Sequence, residues 1–239
     1  MNQIAPVFKK EFFGYFRSPV GYVILAVFHV VVVGLAIFAG YYESNQADLN
    51  SVWGFLPWAF IIFIPATGMR LWAEEKRSGS IELLFTLPVS TIAAVLGKFL
   101  AAWAFIGIAI ALTFSLAITT GYLGNPDWGI LFAGYLGALL MAASYLSISS
   151  VCSSLTKNQV IAFVFSVLIC FLATLFGSQI LLGILDGFAS PGILDFLGNF
   201  SFLTHFQTMT RGLVELSAIS FFATLTIAIL AINVIALEK

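Results

Sequence analysis

Six stretches of this chain run for about twenty residues or more on almost uninterrupted apolar side chains: about 19–42, 53–72, 92–122, 128–151, 159–182 and 217–237. Four of them, the first and the last three, hold no Asp, Glu, Lys or Arg. A helix of that length crosses the ~30 Å hydrocarbon core of a bilayer, and a helix is one of the few structures that satisfies its own backbone there. The predicted fold is therefore all-α, a polytopic membrane protein with six transmembrane helices. The mean hydropathy of +1.06 excludes an ordinary soluble domain. The six spans leave room for one membrane domain, residues 1–239, and for no second folded unit. Lys9, Lys10 and Arg17 precede a run too long for a signal-peptide apolar region, so an uncleaved start is expected. A formal charge of −1 gives no footing for a nucleic-acid partner. Cys152 and Cys170 lie in or beside apolar runs and are expected to pack as small hydrophobes. No Cys/His spacing matches a metal site.

The polar segments between the runs carry the remaining information. Residues 2–17 read as an interfacial helix lying on the membrane, with Ile4, Phe8, Phe12, Tyr15 and Phe16 on one face and Lys9, Lys10 and Arg17 opposite or at its edge. Ser18-Pro19 turns the chain into the first span. His29 sits mid-span; an intramembrane ionisable group is a functional candidate, but a neutral His hydrogen-bonded inside the bundle is the favoured expectation. Pro57 and Pro65 invite a bend in the second span, most naturally at 65–68. Lys98 near the start of the third is expected to snorkel to the interface. Gly121, Gly124, Asn125, Pro126 and Asp127 form a turn. Gly134, Ala138 and Ala142 are spaced four apart, a small-residue stripe that lets another helix of this or a second chain come close. Ser144, Ser147, Ser149, Ser150, Ser153 and Ser154 bond across helices or, as favoured here, back to their own carbonyls.

The most charged segment is 70–90, RLWAEEKRSGSIELLFTLPVS. Ser80 suits a helix N-cap and Glu82 the first turn; Ile81, Leu83, Leu84 and Phe85 follow, stopped by Pro88. This is a short amphipathic helix with a charged approach. Residues 183–216 are too short for two more spans. Ser190-Pro191 opens one short helix, and Phe200 to Leu216 forms a second half-buried stretch, so interfacial or re-entrant helices are expected between spans five and six. Six spans put both termini on one side, together with Lys9, Lys10, Arg17, Arg70, Lys76, Arg77, Lys98, Lys157 and Lys239; only Arg211 falls opposite. By the positive-inside rule the termini and 70–90 are cytoplasmic.

The run EEKRSGSIELLFTLPVS resembles the segment after the second span of ABC-2 type permeases, E-x-x-x-G-[ST]-x-E-x-L-x-x-x-P-[VI]-[ST], and the span layout extends the likeness over essentially the whole chain. The resemblance implies a multi-pass protein of the bacterial cytoplasmic (inner) membrane, one membrane subunit of an ABC exporter. It implies an elbow helix before the first span, carried here by Phe8, Lys9, Lys10, Phe12, Phe16 and Arg17. It implies a coupling helix docking on a separate ABC ATP-binding subunit, with Glu74, Glu75, Arg77, Gly79, Ser80, Glu82, Leu84 and Pro88 as the coupling residues. The outer pattern F-x-x-x-x-R-G-x-x-[DE]-L, Phe206 to Leu216, is similar to one in gliding-motility-type and nitrous-oxide-reductase-maturation-type permeases. It directs attention to His205, Arg211, Gly212 and Glu215, and implies a membrane protein with a large extracytoplasmic domain as a further partner, besides a second permease copy or paralogue and the lipid bilayer.

No G-x-x-x-x-G-K-[ST] loop occurs, so ATP and Mg belong to the partner, and this chain is expected to hold no cofactor and to be no enzyme. Apart from His29 no span centre carries an ionisable group, as a proton- or sodium-coupled carrier would need. Three functions stand after this: an ATP-driven permease, an exporter by resemblance; the same architecture passing mechanical work to an extracytoplasmic partner without transport; and a membrane scaffold with no ATPase.

Overall fold

The computed structural model describes residues 3–82, 89–185 and 190–238, and every regular element among them is helical. In chain order these are α1 (Ile4–Arg17), α2 (Pro19–Phe38), α3 (Asn50–Gly68), α4 (Arg70–Ser78), α5 (Thr91–Leu112), α6 (Phe114–Leu123), α7 (Trp128–Ser154), α8 (Gln159–Leu175), α9 (Gln179–Leu185), α10 (Pro191–Asn199), α11 (Phe202–Thr210) and α12 (Leu216–Leu237). Five are long and apolar enough to span a membrane, counting α3 with α4 and α5 with α6: 19–38, 50–78, 91–123, 128–154 and 216–237. The chain is a multi-pass membrane protein.

The fifth expected span is shorter than predicted. α8 has 17 residues, about 26 Å at 1.5 Å per residue, and so sits at the lower limit for crossing. The predicted continuation to 182 is broken at Gly177, whose φ of +73° stops the helix. A Cβ there would lie 2.2 Å from the Leu197 carbonyl oxygen, so the turn also seats α10. Ser178 then accepts the Leu181 N–H and starts α9.

Local chemistry sets most other boundaries. Ser18 accepts the Val20 N–H ahead of Pro19, Asp127 accepts from Gly129 and Ile130, Asn158 from Val160 and Ser201 from Thr204. Each closes an otherwise orphaned first-turn donor. Pro65 lacks an N–H, and one turn later the helix breaks at Met69, as the sequence predicts for this region. Beyond the break the chain does not become a loop: Arg70–Ser78 is a helix, so the second span runs on past Trp72 into the charged segment.

α7 is the central element and packs against α3, α4, α5, α8, α11 and α12. Its small residues admit this crowding. A Cβ on Gly134 of the small-residue stripe would lie 2.6 Å from the Trp53 ring of α3, and one on Gly137 beside the stripe 3.0 Å from Met209 of α11, so both close approaches are to helices of the same chain. α11, expected as a half-buried stretch, buries Phe202, Phe206 and Met209 in the bundle and leaves Thr204 and Gln207 exposed. Both cysteines are buried and unpaired.

Two expectations about polar groups in the spans need correction. His29 has its Nδ1 buried without a hydrogen-bond partner among the described residues, instead of bonded within the bundle. It borders the stripe Leu25, Phe28, Val32 and Ala36 by which α2 packs, and that stripe offers no polar side chain. The serines of α7 divide between the two arrangements. Ser147 and Ser154 bond to their own helix and Ser144 does so at Leu140 O, whereas Ser144 also reaches Phe222 O and Thr226 on α12, and Ser150 and Ser153 bond to α4. These serines face crowded neighbours with donors of their own, which a backbone carbonyl already held in the helix cannot satisfy.

Candidate functional site: the charged end of the bundle

The candidate site is assembled from α1, α4, the start of α5 and the far end of α7. α1 is amphipathic as expected, with Lys9, Lys10 and Arg17 exposed. Phe8, Phe12 and Phe16 form a ladder with ring centroids 5.5 and 5.3 Å apart. The helix is nevertheless fixed by a different edge. Val7 is buried on Gly97 of α5, where a Cβ would come within 2.7 Å of the valine, and Tyr15 stacks on Phe105 at 4.6 Å. Glu11 lies on this packed side, the one charge of α1 turned inward.

Its partner is Lys98. The sequence predicts that this side chain snorkels, but it is only 3% exposed. Its Nζ is 3.1 Å from Glu11 Oε1 and 2.8 Å from Glu75 Oε1, and it stands 5.2 Å from the centroid of the Trp72 ring. The reason is energetic: one buried ammonium with two carboxylates and an aromatic face at hand loses less by staying than by stretching past α1 to water. Glu75 Oε2 is also buried, with no hydrogen-bond partner among the described residues.

α4 begins just after the turn at Met69, and Ser153 of α7 bonds to its first turn. Trp72 and Ala73 N–H both donate to its Oγ at 3.0 Å, and its hydroxyl donates to Met69 O at 2.8 Å. The Trp72 indole N–H donates to Ser150 Oγ at 3.2 Å. Asn233 of α12 donates to the same oxygen, and Lys76 donates to Ser154 O. A polar belt thus crosses the bundle from Glu11 through Lys98, Trp72 and Ser150 to Asn233. Beside it a cavity of about 390 Å³ opens between α1, α2 and α4, its charged wall formed by Lys10, Glu11, Arg70, Glu74, Glu75 and Lys98. Burial, with Glu11 beside it, pushes the Tyr15 hydroxyl well above its ordinary range, so that group lines the cavity as a neutral donor.

The expected coupling residues divide into two sets. Glu75 points inward to Lys98, whereas Glu74, Arg77, Gly79 and Glu82 are exposed. Glu74 pairs with Arg70 one turn away at 3.1 Å. Lys76 and Arg77 fall in the last turn of α4, where the helix dipole favours cations. Gly79 ends α4 with φ +73°, a conformation that only glycine takes without strain. Ser80, the expected N-cap, lies within 2.8 Å of Ser78 Oγ and already has helical backbone. Leu84 and Pro88 lie outside the described residues. On the far flank Ser90 caps α5 by accepting the Ala93 N–H, and its own N–H donates to Gln3, just ahead of α1, at 3.1 Å. The described residues on either side of 83–88 are therefore anchored to α1, α5 and α7.

The residues of the outer pattern run along the other half of α7, from Phe206 on Gly137 to Gly212 on Ile130, the latter roughly 30 Å from Ser150 by helix rise. His205 stacks on Phe221 at 4.4 Å and bonds to Asn199 O. Gly212, φ +86°, presses on Ile130. Arg211 and Glu215 are exposed on either side of a turn whose Leu213, Val214 and Leu216 are exposed too. His205 is a packing residue, separate from the two charges.

Glu11, Trp72, Lys98, Ser150, Ser153 and Asn233 were not legible as site residues. One signal pointed to them: a lysine seven residues into an apolar helix needs carboxylates nearby, and few are available.

A family model described as ABC-2 family transporter protein matches residues 5–237. No curated protein matches the chain.

Proposed function

The chain belongs to the ABC-2 transporter family, as a membrane permease subunit of the kind that works with an ABC ATP-binding subunit, and from that premise we propose that its charged end is the surface on which that subunit docks and couples ATP hydrolysis to movement of the spans. The observation that carries this is the construction of residues 70–90. Exposed Glu74, Arg77 and Glu82 stand on a segment whose two flanks are tied into the bundle interior through Glu75–Lys98 and Ser90–Gln3. A solvated loop needs no such anchorage; a segment that receives force does. The charge asymmetry favours a cytoplasmic position for this end, which places it where ATP and Mg are held by the partner. In this reading the protein sits in a bacterial cytoplasmic membrane, pairs with a second permease copy or paralogue, and works as an exporter.

The test is purification in mild detergent from native membranes, with co-purifying proteins identified by mass and assayed for ATP hydrolysis. An ATP-hydrolysing subunit is expected with the unchanged protein. Glu82→Lys should lower coupled ATPase activity while the permease remains in the membrane. Unchanged coupling in that variant would count against the docking role.

A second reading, mechanical work on an extracytoplasmic partner, is favoured by the outer turn, where Leu216 is 79% exposed between polar residues. Substrate flux in reconstituted vesicles separates the two: ATP-driven flux supports export, and hydrolysis without flux supports the mechanical role.

A further inference from the structure

We propose that Lys98 is the tie that makes the two flanks of the docking segment and the N-terminal helix move as one body, an inference that rests on the docking role proposed above. α4 is a nine-residue helix bounded by the turn at Met69 and by the left-handed turn at Gly79. Backbone continuity holds α4 to α3 through Met69, whose conformation is helical and whose N–H bonds to Pro65 O at 2.8 Å, but beyond Gly79 it does not fix the direction of α4 relative to α5. Side chains do. Glu75 comes from the upstream flank, Lys98 from the downstream flank, and Glu11 from α1, and the three meet at one nitrogen.

Any push that spreads α4 from α5 has to part an ion pair shielded from water, where charge attraction is strong and separation leaves unpaired charges. The two flanks are thus held in one socket. The socket is also joined to the rest of the bundle. Trp72 lies against the Lys98 ammonium and bonds to Ser150, which Asn233 also meets, so displacement of α4 is passed to α7 and α12. Lys98 touches no reacting group; it is a positioning residue for coupling. Glu75, with its side chain 16% exposed, belongs to this socket and not to the docking surface.

The experiment uses the full chain in lipid nanodiscs, spin-labelled at Arg77→Cys and Ile92→Cys, one on each flank and both exposed. Distance distributions are compared in four backgrounds: otherwise unchanged, Lys98→Arg, Glu75→Gln, and the charge-free triple Glu11→Gln/Glu75→Gln/Lys98→Met. Narrow distributions are expected for the first two and broadened ones for the last two. Equal widths in all four would overturn the tie. Glu75→Gln leaves the Lys98–Glu11 pair in place, so it decides the question even if the triple variant does not fold.

In the complex with the ATP-binding subunit, labels at Lys9→Cys and Lys157→Cys should shift when ADP-vanadate is trapped. The triple variant should lose that shift while still carrying the subunit. A full shift in the triple variant would overturn the inference. Absence of any ATP-binding subunit on the unchanged protein would instead defeat the docking role and leave the flank distances to judge the tie.

Discussion

Lys98 is held by two carboxylates and one indole, and the balance of those contacts decides what substitution does. Lys98→Met alone would leave Glu11 and Glu75 facing each other with no counter-charge, which for a buried pair costs about 3–5 kcal/mol. Replacing all three charges by neutral groups of similar size removes the penalty with the pair, so the triple variant should unfold close to the unchanged protein. Thermal unfolding in detergent, measured on both, checks the order; a single variant more stable than the triple would contradict it. Ser153 is a simpler case. It accepts two N–H groups and donates once, and Ser153→Ala should cost about 1–3 kcal/mol, because the donors at the start of α4 lose a buried acceptor. Gly134→Val should also destabilise, by about 1–3 kcal/mol, since the Trp53 ring occupies the place of the new side chain.

At the scale of elements, glycine and proline punctuation decides where the helices stop. Gly79→Ala leaves the exposed charges Glu74, Arg77 and Glu82 in place but forces a side chain into a left-handed backbone, at about 1–2 kcal/mol. The expected outcome is a weaker hold on the ATP-binding subunit, read as less of it retained in a detergent wash, with the permease itself present at its usual level. The elements differ in how much of them the sequence reveals. The spans were readable because each is an apolar run of membrane length, and α1, α10 and α11 because Ser-Pro and aromatic spacing mark them. The end of α8 was not. Gly177 lies in an apolar stretch in which a helix would continue by composition alone, and only its fit against Leu197 explains the stop. α4 is legible in the sequence only as a charged approach to a short helix, because its charges suggest solvent, yet Leu71, Trp72 and Ala73 on its other face are buried. The exposed coupling residues Glu74, Arg77 and Glu82 follow from a linear pattern. Lys98, Glu11 and Ser153 do not, because their roles depend on partners many residues away.

For the whole molecule, the two ends of α7 define two chemically different surfaces. One bears the termini, nearly all the basic residues and the belt from Glu11 to Asn233; the other bears Asp127, the short helices α10 and α11 and the turn at 211–216. Single cysteines test the orientation proposed for them. Arg77→Cys should react with a membrane-impermeant maleimide only in inverted vesicles, and Glu215→Cys only in intact cells. The opposite pattern would place the docking segment away from ATP and end the coupling role.

The seat of α1 on Gly97 and Lys98 also bears on how the polypeptide is made. Roughly eighty residues separate Arg17 from Lys98, which at ~5–20 residues per second leaves the first helix without its berth for about 4–16 s of synthesis. During that interval its phenylalanine ladder has only lipid to rest on. Ribosome-arrested chains that end before Lys98 should therefore leave Glu11 open to crosslinkers from the solvent, and chains released after the third span should close it.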